Sequence, residues 1–201
     1  MIIVDIEQGT TEWFETRCGV ISASNFSKII TPTGKVTTGV TREKYLLSKA
    51  AEILSGKPEE TYSNQWMERG VELEEEARKI LSLEYMTEIN EVGFCFLDDN
   101  KRIGCSPDGL NSDIGFEIKC PKPSTHVKYL LDNKLPTEYI PQVQGSMFVT
   151  GFETWIFMSY CPGIKPLILE VKRDDEYISK LSDAVNNAVD EVDNIIKKIR
   201  G

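Results

Sequence analysis

The stretch over residues 104–121, GCSPDGLNSDIGFEIKCP, concentrates side chains suited to hydrolytic chemistry. Side chains alternate across a strand, so Glu117 and Lys119 share one face while Phe116, Ile118 and Cys120 take the other. The acid and the amine then stand ~6.6 to 6.8 Å apart along the strand. Asp108 lies nine residues before Glu117, in a Pro107-Asp108-Gly109 turn that lets a hairpin bring it back beside the strand. Two carboxylates in close company repel unless a cation neutralises them, and hard oxygen ligands suit Mg²⁺ or Mn²⁺. Lys119 beside such an ion would orient a water or stabilise charge on a phosphoryl oxygen. An ExK triplet alone is more often a surface hairpin with a Glu–Lys ion pair.

Two further residues extend the cluster. Glu74 follows Gly70 by four and precedes Ala77 and Leu81 by three and seven, which sets it at the edge of a helix's apolar face. Glu72, Glu75 and Glu76 point more easily to water. An inward carboxylate needs a partner: a second metal or a metal-bound water on one reading, Arg78 or another cation on the other. Gln142 and Gln144 are amides within an otherwise apolar helix. Such an amide either reaches a metal-bound water or phosphate, or makes a helix-to-backbone contact.

These residues need elements to hold them. Helices are predicted from Ser22 or Ser24 through Ile30, from a Thr41 cap to Gly56-Lys57-Pro58, and over about 64–85 with Trp66, Gly70, Leu73, Ala77, Ile80 and Leu81 inward. Residues 92–97, 114–120, 153–160 and 167–171 read as strands. Helices near 125–132 and 139–149 separate the second strand from the third, and a last helix runs from about Asp174. The pattern predicts one α/β domain over residues 1–201, a sheet packed by helices.

Composition sets limits on function. The 201 residues, 40% hydrophobic and 27% charged, exclude disordered and coiled-coil classes. A net charge of −9 argues against coating nucleic acid with the whole surface. Charge is segregated, however: over residues 17–57 Arg17, Lys28, Lys35, Arg42, Lys44, Lys49 and Lys57 face only Glu43 and Glu52, and over 59–91 acids dominate. A basic groove beside an acidic wall fits this distribution, as do solvated helix faces. Five scattered cysteines predict reduced thiols, and the absence of a long apolar run predicts a cytoplasmic protein that neither spans a membrane nor is exported.

The order Glu74, Ser106-Pro107-Asp108-Gly109, Glu117-Ile118-Lys119, Gln142-Val143-Gln144 resembles the PD-(D/E)XK restriction-endonuclease-like core, a central mixed β-sheet flanked by helices. More closely it resembles the phage lambda exonuclease and YqaJ-like viral recombinase family, including the N-terminal segment from Arg17 through Gly19 and Ser22 to Ser24, and Arg69-Gly70 before the helical glutamate. The resemblance implies that Asp108, Glu117 and the Ile118 carbonyl bind Mg²⁺ (or Mn²⁺), that Glu74 holds a second ion, that Lys119 attends the attacking water and that Gln142 completes the site. It implies a 5′-phosphate pocket at Arg17, Ser24, Ser106 and Ser22. It further implies a 5′-to-3′ exonuclease on duplex DNA ends, a homotrimer and a single-strand annealing protein as partner, in a phage or prophage setting.

Other readings are an endonuclease of the same core in restriction or repair, and a non-catalytic relative, against which the intact Asp108, Glu117, Lys119 set argues. Scattered cysteines disfavour an iron–sulfur cluster, and Thr33-Gly34-Lys35 lacks the first glycine of a phosphate loop. His126, the only histidine, is expected at the surface. Trp13, Trp66 and Trp155 are expected in the core, and the loop over 31–39, which carries no recognisable motif, is where strand-separating or DNA-guiding contacts are expected.

Overall fold

This computed structural model describes residues 1–59 and 65–201, the side chains of 65–72 excepted. The expected helix start at Asn64 and the inward positions of Trp66 and Gly70 lie outside the described residues, as do Arg69 and Glu72. Among the described residues no helix is long and apolar enough to cross a membrane.

Among the described residues eight strands form two four-stranded mixed sheets. The first, in order β1-β3-β4-β2, combines Ile2–Val4, Phe94–Phe96, Ile103–Cys105 and Ile21–Ser22. The second, β5-β6-β7-β8, combines Gly109–Leu110, Ile114–Lys119, Thr154–Ser159 and Leu167–Lys172. Strands β6 and β7 run parallel, with Glu117 opposite Phe157 and Lys119 opposite Ser159. Parallel neighbours need a crossover, and α4 (Pro123–Asp132) with α5 (Ile140–Thr150) supplies it.

Both faces of β6 are covered. Phe116 and Ile118 pack with Ile156 and Met158 against Ala77 and Leu81 of α3 (Gln65–Tyr85). The opposite face meets the larger core, where Trp155 and Phe157 join Val143 and Met147 of α5 and Leu181 and Val185 of α6 (Asp175–Arg200). The alternation read from the sequence is thus realised, and it turns Glu117 and Lys119 toward α5. Asp174 caps α6 by accepting the Tyr177 N–H at 2.9 Å.

Several expected boundaries shift for identifiable reasons. Helix α1 is the short Thr11–Thr16; α2 spans Val40–Ser55 and its cap is Gly39 rather than Thr41, because φ +96° suits only glycine there. Gly56 ends it in the left-handed conformation, as the sequence predicts. The segment after Ser22 is a 3₁₀ helix, Ala23–Lys28, and the Ser22 side chain does not cap it. Its hydroxyl is engaged with Arg17 and Asn25 instead. Strands β1, β2, β4 and β5 were not expected; each has only two or three residues, too few to show a period of two. No disulfide joins the five cysteines, and Cys95, Cys105 and Cys161 are buried.

One glycine decides how β6 sits. A Cβ on Gly115 would come within 2.1 Å of the fully buried Trp155 ring. Gly115→Ala therefore forces that ring to move, and overpacking of this kind costs about 1–3 kcal/mol. The expected outcome in thermal unfolding is a Tm lower by roughly 3–10 °C, at the few degrees per kcal/mol usual for a domain of this size. An unchanged Tm would show that the ring repacks freely.

Candidate active site

The hairpin of β5 and β6 brings Asp108 beside Glu117. Gly109 pairs with Phe116, and the Asp108 N–H donates to the Phe116 carbonyl at 3.1 Å. The Ile118 N–H then donates to Asp108 Oδ2 at 2.6 Å, so the carboxylate takes the bond that a longer β5 would have made. Arg78 of α3 fixes the turn from outside, donating from Nε to the Asp108 carbonyl at 2.9 Å and pairing with Glu91 at 3.1 Å.

Glu117 is 1% exposed, so the surface-hairpin reading fails. Its Oε1 accepts from Gln142 Nε2 at 2.6 Å and pairs with the Lys119 ammonium. Its Oε2 is buried with no hydrogen-bond partner among the described residues. Gln144, one of the two amides weighed together in the sequence, makes backbone contacts instead: Nε2 donates to the Lys172 carbonyl and Oε1 accepts the Asp174 N–H, each at 2.9 Å. Glu74 is half-buried at the edge of α3, while Glu75 and Glu76 are exposed, as their helical positions predict. Arg78 makes its hydrogen bonds to Asp108 and Glu91, not to Glu74.

The electrostatics show a shortage of positive charge. Burial, then the charges of Asp108 and Glu74, push the Glu117 carboxyl up to about 8. Burial and Asp108 push Glu74 up to about 7, and burial raises Asp108. Burial works against the Lys119 ammonium, but the charges of Glu117 and Asp108 overcome it and hold its pKa above the ordinary value. Lys119 also faces the Tyr139 ring at 5.6 Å, a neighbour the sequence reading did not identify.

The donor set suits a hard divalent cation. Among the described residues no three His, Cys, Asp or Glu side chains gather into a ready-made cage. Two carboxylates with an unspent buried oxygen are nevertheless what Mg²⁺ takes, since it usually keeps several waters and binds through one or two carboxylates.

A second cluster forms around Arg17. Its guanidinium stacks on Trp13 at 3.9 Å from the ring centre, and Nη2 donates to Ser22 Oγ at 3.4 Å and Ser24 Oγ at 3.3 Å. Trp13 Nε1 donates to Ser106 Oγ at 3.2 Å and to the Gly93 carbonyl at 3.0 Å. Arg17, Ser22, Ser24 and Ser106 are therefore brought together, through Trp13. Burial lowers the Arg17 pKa to about 10, which leaves it charged at neutral pH. Trp13 is half-buried beside Arg17 rather than in the core expected for it, and its spacing of four from Arg17 is the signal that the two stack. Trp155 is in the core as expected.

His126 is a correction. It is fully buried, with Nδ1 at 2.8 Å from Ser159 Oγ and Nε2 at 3.0 Å from the Lys165 carbonyl. Because Ser159 pairs with Lys119 across β7 and β6, the histidine braces the end of the strand that carries the lysine rather than meeting solvent.

Known proteins share the family and the fold. The YqaJ-like viral recombinase domain matches residues 12–153. No curated protein sequence matches. The alkaline exonuclease LHK-Exo from Laribacter hongkongensis superposes with a TM-score of 0.86 at 30% identity, over 95% of this chain and 96% of that one. The same enzyme solved in complex with dAMP matches equally well. A phage-related exonuclease from Haemophilus somnus 129PT shares the fold, with a TM-score of 0.72 at 18% identity over 90% of this chain and 96% of that one. With most of its length matched by the family and its two polar clusters on an exonuclease-like fold, the chain belongs to the YqaJ-like viral recombinase family.

Proposed function

We propose that this chain is a divalent-metal-dependent 5′-to-3′ exonuclease that hydrolyses one strand of linear double-stranded DNA, in phage-type recombination by single-strand annealing. The observation that carries the reading is the buried Glu117 carboxylate, one oxygen unpartnered, next to Asp108 and Lys119. A merely structural ion pair would be expected to satisfy both oxygens. The relative solved with dAMP, a nucleoside monophosphate of the kind an exonuclease releases, supports the substrate class.

Asp108, Glu117 and the Ile118 carbonyl would hold Mg²⁺, or Mn²⁺ in its place, and Glu74 would hold a second ion. A divalent metal bound there would supply Lewis acidity, lowering the pKa of a coordinated water and offsetting charge on the attacked phosphoryl group. Lys119 orients the attacking water with its ammonium. Gln142 keeps Glu117 turned by donating to Oε1, which leaves Oε2 available as a ligand. Arg17 and the hydroxyls of Ser22, Ser24 and Ser106 take the 5′-terminal phosphate, for which a fork of charged donors is better suited than neutral donors alone. The protein works as a homotrimer in the cytoplasm of a bacterial host and hands the remaining strand to an annealing protein; the family resemblance supports these assignments.

Incubation with Mg²⁺ and linear or covalently closed duplex, carrying 5′-phosphate or 5′-hydroxyl ends, tests the reading. Progressive loss of the linear phosphorylated substrate alone is expected; nicking or cutting of the closed circle would favour an endonuclease. Asp108→Ala should lower turnover by more than about 100-fold while leaving the circular dichroism spectrum intact. Arg17→Ala should chiefly erase the preference for phosphorylated ends.

The raised carboxyl groups also fix a pH dependence. Glu117 and Glu74 ionise near 4.5 when unfolded but near 8 and 7 when folded, so between those values the folded protein binds more protons. Stability of the metal-free protein is then full below about pH 4.5 as far as these groups contribute, and falls as pH rises toward about 8. A Tm decrease of roughly 5–10 °C from pH 5 to pH 8 is expected in EDTA, reversed by excess Mg²⁺. Glu117→Gln should flatten the decrease; a Tm independent of both pH and Mg²⁺ would show that no charge shortage exists.

A further inference from the structure

Lys28 closes the 3₁₀ helix that begins at the Ser22–Ser24 hydroxyls, and its ammonium is not committed to an acid. Among the described residues no carboxylate pairs with it; Nζ lies 5.0 Å from the centre of the Tyr45 ring. Lys49 of α2 brings a second ammonium within 5.7 Å of the same ring. Lys49, however, is neutralised by Glu52 at 2.7 Å, and Glu52 Oε2 also accepts the Gly19 N–H at 2.7 Å. The surplus positive charge therefore rests on Lys28, half-buried and beside another cation. Burial and Lys49 both lower the Lys28 pKa, a cost that a docked anion would relieve.

Its location indicates which anion. Tyr45 is 5% exposed, and its hydroxyl accepts the Ser22 N–H at 3.4 Å. Ser22 Oγ in turn accepts from Arg17. The buried ring thus acts as a fixed spacer, with its hydroxyl toward the Arg17 pocket and Lys28 at its centre. Thr37 Oγ1 donates to the Lys28 carbonyl and pins the backbone that carries the lysine. Two cations without carboxylate partners among the described residues, linked through the Tyr45 ring and Ser22, suit a polyanion with regularly spaced charges, and a nucleic-acid strand is such a ligand.

We propose that Lys28 is a second phosphate-binding position, which takes an internal phosphodiester of the strand whose 5′ end is seated at Arg17. The assignment rests on the reading of Arg17 as the terminal pocket. An ammonium is a point charge without a fork and suits a phosphodiester monoanion, whereas the Arg17 guanidinium and its hydroxyls suit the terminal dianion. Lys28 then sets the path of the strand leaving the pocket and contributes to binding, while end selection stays with Arg17.

Fluorescence anisotropy with a 5′-phosphorylated duplex across a salt series, in full-length protein carrying Asp108→Ala, separates binding from hydrolysis. Adding Lys28→Ala should weaken binding about five- to tenfold near 0.1 M salt and reduce the slope of log Kd against log salt by about one, with Lys28→Arg restoring both. The ratio of affinities for phosphorylated and hydroxyl ends should not change. An unaltered Kd and slope would overturn the proposal even with the exonuclease reading intact. Loss of the end preference in Lys28→Ala would also overturn it, by placing the lysine in the terminal pocket. Conversely, a Lys28-dependent salt slope in a protein whose parent chain leaves linear DNA intact would overturn the exonuclease reading and leave the second position standing.

Discussion

The structure is organised around an incompletely compensated buried charge. Glu117 sits on the central pair of the second sheet with one ammonium and one amide on the same oxygen, and nothing among the described residues on the other. Taking a carboxylate out of water costs several kcal/mol unless its lone pairs are met. An inert core pair would add a second donor; a site kept for a cation leaves the position open. The raised Glu117, Glu74 and Asp108 carboxyls are three expressions of that one imbalance, since burial heads the causes of each.

The surrounding fold makes this imbalance tolerable. Gly115 lets Trp155 lie flush on the strand two residues from Glu117, and Phe116 and Ile118 anchor the reverse face against α3. Asp108 ends a two-residue strand by accepting the next ladder N–H itself, so the residue that stops the hairpin also faces the site. His126 braces Ser159 opposite Lys119. With the strand held on both faces and at its end, the charges cannot drift apart to find water.

Much of this was legible in the sequence, and the losses have physical causes. Period two over β6 assigned Glu117 and Lys119 to one face, and period 3.6 over α3 set Glu74 inward with Glu75 and Glu76 outward, because both elements are long enough to express a period. Apart from β3, which the apolar run over 92–97 marks, the strands of two or three residues carry no such signal; their place is set by tertiary pairing. Gln142 and Gln144 could not be told apart, since which amide meets Glu117 depends on how α5 sits over the sheet. The surface position expected for His126 failed because its two partners, Ser159 and the Lys165 carbonyl, are more than 30 residues away. Trp13 was read by hydrophobicity, whereas its position is governed by cation stacking and an indole hydrogen bond.

The relation between the two polar clusters follows from the chain itself. Ser106, which meets Trp13 in the Arg17 pocket, and Asp108, which faces Glu117, are two residues apart, so their Cα atoms cannot be more than about 7 Å apart. Pro107 between them is buried and has a fixed φ, and its carbonyl accepts from Gln8 Nε2 at 2.8 Å, a side chain that also donates to the Val92 carbonyl at 2.7 Å. The connection is therefore short, stiff and tied at its midpoint. In the proposed reading, the distance from the seated terminal phosphate to the bond being broken is set by this covalent link rather than by domain motion. Substitutions that loosen it would blur where the strand is cut without removing any group that binds or hydrolyses.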